Sequence, residues 1–163
     1  MAATRKKAAP ADEQGVQGFE LQAFAVQLRR LTGEINRFAH EFAAHQGLHA
    51  TDVQALGAIM DAPSPLTPGR LGEHLGLTSG AVTACLDRLE RAGHIRRVRE
   101  SPDRRVVHLH CLPEARTTAR AHFLPLAEAT ARAQEDFTPD ELLSTLRLLH
   151  AVSDELESLN KRH

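Results

Sequence analysis

Six arginines crowd residues 91–105: Arg91, Arg96, Arg97, Arg99, Arg104 and Arg105 flank the segment Glu100-Ser101-Pro102-Asp103. Guanidinium groups at that density offer forked donors suited to phosphate oxygens or to a narrow, electronegative groove. Asp103 is the odd residue, because a carboxylate repels a polyanion. It reads as a partner that directs the Arg105 fork, or more plainly as a turn-forming aspartate. Just upstream, Ser79, Gly80, Thr83, Ala84, Asp87 and Arg88 lie away from the apolar positions Val82, Leu86 and Leu89. Short side chains along one edge let a helix backbone come close to another surface, and a major groove is such a surface. An ordinary solvated helix face is the plain alternative. Catalytic groupings are not evident: there is no glycine-rich phosphate loop after a strand, no Gly-x-Ser-x-Gly and no His-Glu-x-x-His. Nothing groups a nucleophile with a base, so an enzyme is not expected.

The elements that must hold these residues follow from local signals. Thr67 is a suitable N-cap and Pro68 fits the first helical position, where its missing N–H costs nothing. This short helix carries Leu71 and Leu75 and ends at Gly76. Thr78 or Ser79 caps the next helix, striped by Val82, Leu86 and Leu89 and closed by Gly93. The spacing predicts a helix-turn-helix. Ile95, Val98, Val106, Val107 and Leu109 then supply strand formers around the Glu100–Asp103 turn, predicting a two-stranded hairpin.

The stretch LGEHLGLTSGAVTACLDRLERAGHIRR, followed by SPDRRVVHL with its Asp-x-Arg pair (Asp103, Arg105), resembles the winged helix-turn-helix of the MarR family of bacterial transcriptional regulators. The similarity covers about residues 18 to 160. The resemblance implies a mainly α fold with a small β-hairpin wing and a helical dimerisation lobe. It also implies double-stranded DNA as partner, a homodimer, and release from the operator by a small-molecule effector, commonly phenolic or lipophilic. One departure lies at the wing exit: the family's Leu-Thr-x-x-Gly is replaced by Leu112-Pro113-Glu114-Ala115-Arg116.

The rest of the chain fits that plan. Residues 1–16 read as a disordered tail; Arg5, Lys6 and Lys7 could touch phosphate, but a merely solubilising tail is the better reading. Residues 17–163 then form one MarR-like domain: helices over 17–47 and 113–163 for dimerisation, and a DNA-binding lobe over 51–112. From Phe19, a helix carries Leu21, Phe24, Leu28, Leu31, Ile35, Phe38 and Phe42 at alternating spacings of three and four, a seam that needs a partner. Thr51 with Gln54 reads as a capping box for the following helix, which has Val53, Leu56, Ile59 and Met60 on its apolar side. After the wing, a helical pattern runs from Pro113 to about Phe137, and Pro125 should kink or break it. Thr138-Pro139-Asp140-Glu141 starts a last helix striped with Leu142, Leu146, Leu149, Val152, Leu156 and Leu159.

A chain of 163 residues suits one domain with its own core. No apolar run approaches a membrane span, no secretory signal is evident, and Cys85 and Cys111 form no Cys-x-x-Cys. These features point to a cytoplasmic protein with reduced thiols. The net charge of −1 argues against nucleic acid only until its distribution is considered: residues 67–112 hold eight arginines against five carboxylates.

Two sensing chemistries merit comparison with their plain alternatives. Glu41, His45 and His49, or His108 with His110, could seed a metal site, but no spacing completes a four-ligand set, so no metal or cofactor is expected. Cys85, beside the apolar edge of its helix, fits a small core residue better than a redox sensor. The residues expected to meet DNA are Thr78, Ser79, Gly80, Thr83, Arg88, Arg99, Asp103, Arg104 and Arg105. The candidate effector crevice, placed by resemblance, involves Arg37, Phe38, Phe42 and Met60. The function expected is that of a homodimeric repressor on a pseudo-palindromic operator, its half-sites roughly 10 bp apart. A metal- or thiol-responsive regulator of the same fold and a winged-helix protein-interaction module are the alternatives.

Overall fold

The computed structural model describes residues 11–99 and 106–160. Among these residues six helices and one hairpin follow in order: α1 (Ala11–Gln46), α2 (Ala50–Asp61), α3 (Pro68–Leu75), α4 (Ser79–Arg91), β1 (Ile95–Val98), β2 (His108–Cys111), α5 (Pro113–Gln134) and α6 (Pro139–Asn160). The chain divides into two compact units, the first ending at Thr117 and the second beginning at Thr118.

The first unit owns the core. Phe42 from α1, Leu56 from α2, Leu71 from α3, Leu86 and Leu89 from α4, Ile95 from β1 and Leu109 from β2 are all essentially inaccessible to water. Their helical positions repeat every three or four residues, which is why α2, α3 and α4 each turn an apolar side inward. The helix-turn-helix closes as its local residues dictate. Thr67 Oγ1 accepts the Arg70 N–H at 3.3 Å, and Thr78 Oγ1 accepts the Ala81 N–H at 3.3 Å. Gly76 takes φ +64°, a left-handed conformation that a side chain would strain. Gly72 has a different role: a Cβ there would meet Val82 Cγ2 at 3.0 Å, so its absence lets α3 pack close against α4.

β1 and β2 pair antiparallel with Ile95 opposite Cys111 and Val98 opposite His108. Leu109 also bridges to Leu66, its N–H donating to the Leu66 carbonyl at 2.8 Å, which fastens the hairpin to the segment before α3.

Local expectations shift in four places. The first helix starts at Ala11, so the segment expected as tail is helical from residue 11; an established helix extends at little cost through Ala, Glu and Gln. The cap of α2 is His49, not Thr51: the Asp52 carboxylate reaches back to the His49 N–H at 2.9 Å, whereas Gln54 lies exposed. Val106 and Val107 precede the strand instead of joining it. Pro125 lies inside a continuous α5, because a proline removes one rung of the ladder while the turns on either side keep theirs.

His94 occupies the joint between α4 and β1. It is 3% exposed, its ring lies 6.1 Å from that of Phe42, and neither ring nitrogen has a hydrogen-bond partner among the described residues. Burial pushes its pKa below the ordinary 6.5. The folded state therefore excludes a proton that the unfolded chain accepts. The neutral ring's contribution to stability is intact above pH 6.5 and declines as pH falls from there toward the folded pKa. We expect the urea midpoint to drop between pH 7.5 and pH 5.5, and His94→Phe to flatten that drop. Equal pH dependence in both proteins would assign the acid sensitivity to other groups.

Candidate nucleic-acid interface

The edge of small polar residues expected to meet DNA lies on α4. Thr78, Ser79, Gly80 and Thr83 are all exposed, as the alternation with buried Val82, Cys85, Leu86 and Leu89 requires. The Thr83 hydroxyl donates to the Ser79 carbonyl at 2.9 Å, one turn back. Its proton is thereby engaged, leaving an oxygen that accepts and a methyl group that packs. A crevice of about 480 Å³ opens beside this edge between α3 and α4, with Gly69, Glu73, Ser79 and Thr83 on its walls.

Arg88 has a different place from the one its sequence position suggested. Its Nε donates to Asp52 Oδ2 at 2.8 Å and its Nη2 to Asp52 Oδ1 at 2.7 Å. Asp52 is completely buried on α2, so the Arg88 fork turns toward the protein interior and away from the Ser79–Thr83 edge. Burial opposes ionisation of Asp52, but the Arg88 fork, the His49 N–H and the Cys85 thiol together hold its carboxyl below the ordinary range. The physical reason for the pairing is desolvation: a buried carboxylate without a cation is far costlier than an arginine withdrawn from solvent.

Cys85 belongs to the same cluster. It is 1% exposed, and burial together with the hydrogen bond to Asp52 pushes its thiol up to about 12. Such a thiol carries almost no thiolate and behaves as a small apolar residue.

Arg97, on β1, was not singled out by spacing, yet it makes the densest polar contacts near the edge. Its Nη2 donates to Asp87 Oδ1 at 2.6 Å, its Nη1 to Glu90 Oε2 at 3.1 Å, and its backbone N–H to Glu90 Oε1 at 3.2 Å. A longer contact of 3.5 Å reaches the Thr83 carbonyl. Arg96 and Arg99 are exposed, with no ion-pair partner among the described residues. Asp103, Arg104 and Arg105 lie outside the described residues.

The four residues suggested for an effector crevice differ in exposure. Phe42 is core at 1% exposure, packed against the His94 ring, and Arg37 lies exposed and bonds Glu34 on its own helix. Phe38 and Met60 are half-buried. A crevice of about 770 Å³ opens between α2 and α3, with Gln54, Gly57, Asp61, Arg70 and His74 among its lining residues. Among the described residues no group of His, Cys, Asp and Glu is arranged to hold a metal ion. No described helix is long and apolar enough to cross a membrane.

Comparison with known proteins agrees with this geometry. The sequence profile of the MarR family matches residues 46–106, which span α2 to the wing. The protein described as uncharacterized HTH-type transcriptional regulator YcgE, from Bacillus subtilis (strain 168), is 43% identical over 89 residues. That stretch covers 54% of this chain and 57% of the relative's length. The structure of Streptococcus pneumoniae FabT in complex with DNA is 27% identical, with a TM-score of 0.63 over 85% of this chain and 99% of that one. A MepR mutant from a multidrug-resistant S. aureus clinical isolate shares the fold, with a TM-score of 0.71 at 17% identity over 82% of this chain and 96% of its own. With the capped helix-turn-helix, the hairpin fastened beside it and these relatives, residues 46–106 match the MarR family, and the chain shares the fold of winged helix-turn-helix transcriptional regulators.

Proposed function

We propose that the chain is a sequence-specific DNA-binding regulator, a homodimeric repressor released from a pseudo-palindromic operator by a small organic effector. The observation that carries the DNA-binding part is the exposed Thr78–Thr83 edge of α4, small and polar, beside a strand bearing exposed Arg96 and followed by exposed Arg99. That edge would enter the major groove, with Ser79 and Thr83 meeting base edges. Because the Thr83 proton is engaged, its oxygen would accept from a base amino group and its methyl would meet thymine. Arg99, Arg104 and, oriented by Asp103, Arg105 would neutralise phosphate or enter the flanking minor groove. The relative FabT, crystallised with DNA, supports the same reading.

The dimer rests on apolar side chains that one chain leaves in water. On α6, Leu143, Leu146, Leu148, Leu149, Leu156 and Leu159 are each 40–58% exposed, and on α1 Leu21, Leu31 and Ile35 are exposed as well. Patches of that extent mark association surfaces. Repression and effector release rest on kinship with the family.

The test is fluorescence anisotropy of the purified protein on its own upstream intergenic DNA against a scrambled duplex at 50 and 200 mM salt. We expect preference for the intergenic duplex and about a hundredfold loss or more at the higher salt, as release of counterions from several phosphates requires. Equal, weak binding to both duplexes, repeated after selection from random sequence, would favour an acidic protein as the partner of the basic strand.

A further inference from the structure

We infer that Arg97 is a positioning residue for DNA reading: its side chain locks the wing strand to the recognition helix and cancels two carboxylates on that helix. The inference rests on the DNA-binding reading above. Thr83, Asp87 and Glu90 lie at i, i+4 and i+7 of α4, a row along one side of the helix. One guanidinium on β1 reaches all three, at 3.5, 2.6 and 3.1 Å, while the Arg97 backbone N–H takes the other Glu90 oxygen at 3.2 Å. A planar fork can serve several acceptors at fixed angles, which an ammonium on a flexible stem cannot do.

Among the described residues, β1 has little else to hold its outer end. Ile95 anchors the inner end, 1% exposed, but Val98 is the last residue of a four-residue strand whose sole sheet partner among the described residues is β2. A two-stranded ribbon is marginal alone, so its angle to α4 must come from side chains. Arg97 is the described side chain that ties β1 to α4 by ion pairs. The charges point the same way. Asp87 and Glu90 follow the Ser79–Thr83 edge on the helix that would approach phosphate, and unpaired they would repel it. Paired with Arg97, they leave the exposed Arg96 and Arg99 to set the local sign.

The experiment uses a duplex enriched by the wild-type protein from a random-sequence pool, with a scrambled duplex of the same composition as reference. For Arg97→Ala we expect about a tenfold or greater loss on the selected duplex. The scrambled duplex should lose much less, so the ratio between them collapses. Arg97→Lys keeps the charge without the fork and should restore affinity for the scrambled duplex more than it restores the ratio. Adding Asp87→Asn and Glu90→Gln to Arg97→Ala should likewise raise overall affinity and leave selectivity low. Loss in parallel on both duplexes, or a ratio unchanged in Arg97→Lys and Arg97→Ala alike, overturns the positioning role. Failure of the wild type to enrich any duplex removes the DNA-binding reading, and the inference with it.

Discussion

Arg88→Ala should lower the free energy of unfolding at pH 7 by about 3–5 kcal/mol, the cost of leaving a buried carboxylate without its cation. Asp52 is fully buried, and Arg88 supplies two of its charge-assisted bonds, at 2.8 and 2.7 Å. Without that fork the carboxylate keeps the His49 N–H and the Cys85 thiol, too little to offset its desolvation. Asp52→Asn should cost less, since the Arg88 side chain is 28% exposed and can turn to water.

The pH dependence has a definite sign. In the wild type the Asp52 pKa is lowered, so its contribution is complete above the ordinary value of 3.8 and is lost as pH falls below it. In Arg88→Ala burial acts with its main opponent gone and favours the protonated acid, so the gap between variant and wild type should narrow on acidification. Urea titrations at pH 7 and pH 4.5 check both statements. A loss below about 1 kcal/mol at pH 7 would mean that the pair is no stronger than a surface ion pair.

Leu149→Glu in α6 should abolish dimerisation and lower operator affinity by about a hundredfold or more. Leu149 is 40% exposed and Leu146, one turn away, is 49% exposed, so a carboxylate there meets water in the single chain and costs little folding stability. Against a second copy it would be buried and unpaired, which an apolar interface does not tolerate. Two linked subunits bind two half-sites with an avidity gain of about 10²–10⁴ over one, and that gain is what the variant loses. Light scattering on the eluting protein should give twice 17.9 kDa for the wild type and a single chain's mass for Leu149→Glu. A wild type that elutes as one chain, or a variant that still elutes as two, would move the dimer contact away from α6.

The parts of the fold legible in the chain share a short range. Thr67, Pro68, Gly76 and Thr78 act on backbone within four residues, so their caps and the sharp turn could be placed before any tertiary structure was known. The stripe of Val82, Leu86 and Leu89 assigned the inward side of α4, and with it the outward edge, by helical period alone. Capping chemistry at α2 misled because Thr51 and Gln54 have the right types, while Asp52 binds the preceding N–H and Arg88 together.

Side-chain partners across distance were not legible. Asp52 and Arg88 are separated by 36 positions, and nothing local distinguishes Arg88 from the arginines around it. An arginine's long stem can turn either way, so its destination is settled by which carboxylate the packed helices have desolvated. Arg97 was hidden for the same reason, as one of six arginines until β1 came to lie beside α4. Sequence by itself thus determined the helices, the turn and the exposed edge of α4, because these depend on backbone preference and periodicity over a few residues. Tertiary structure alone decided which charges face solvent, because the cost of burying a charge exists only once the core has formed around it.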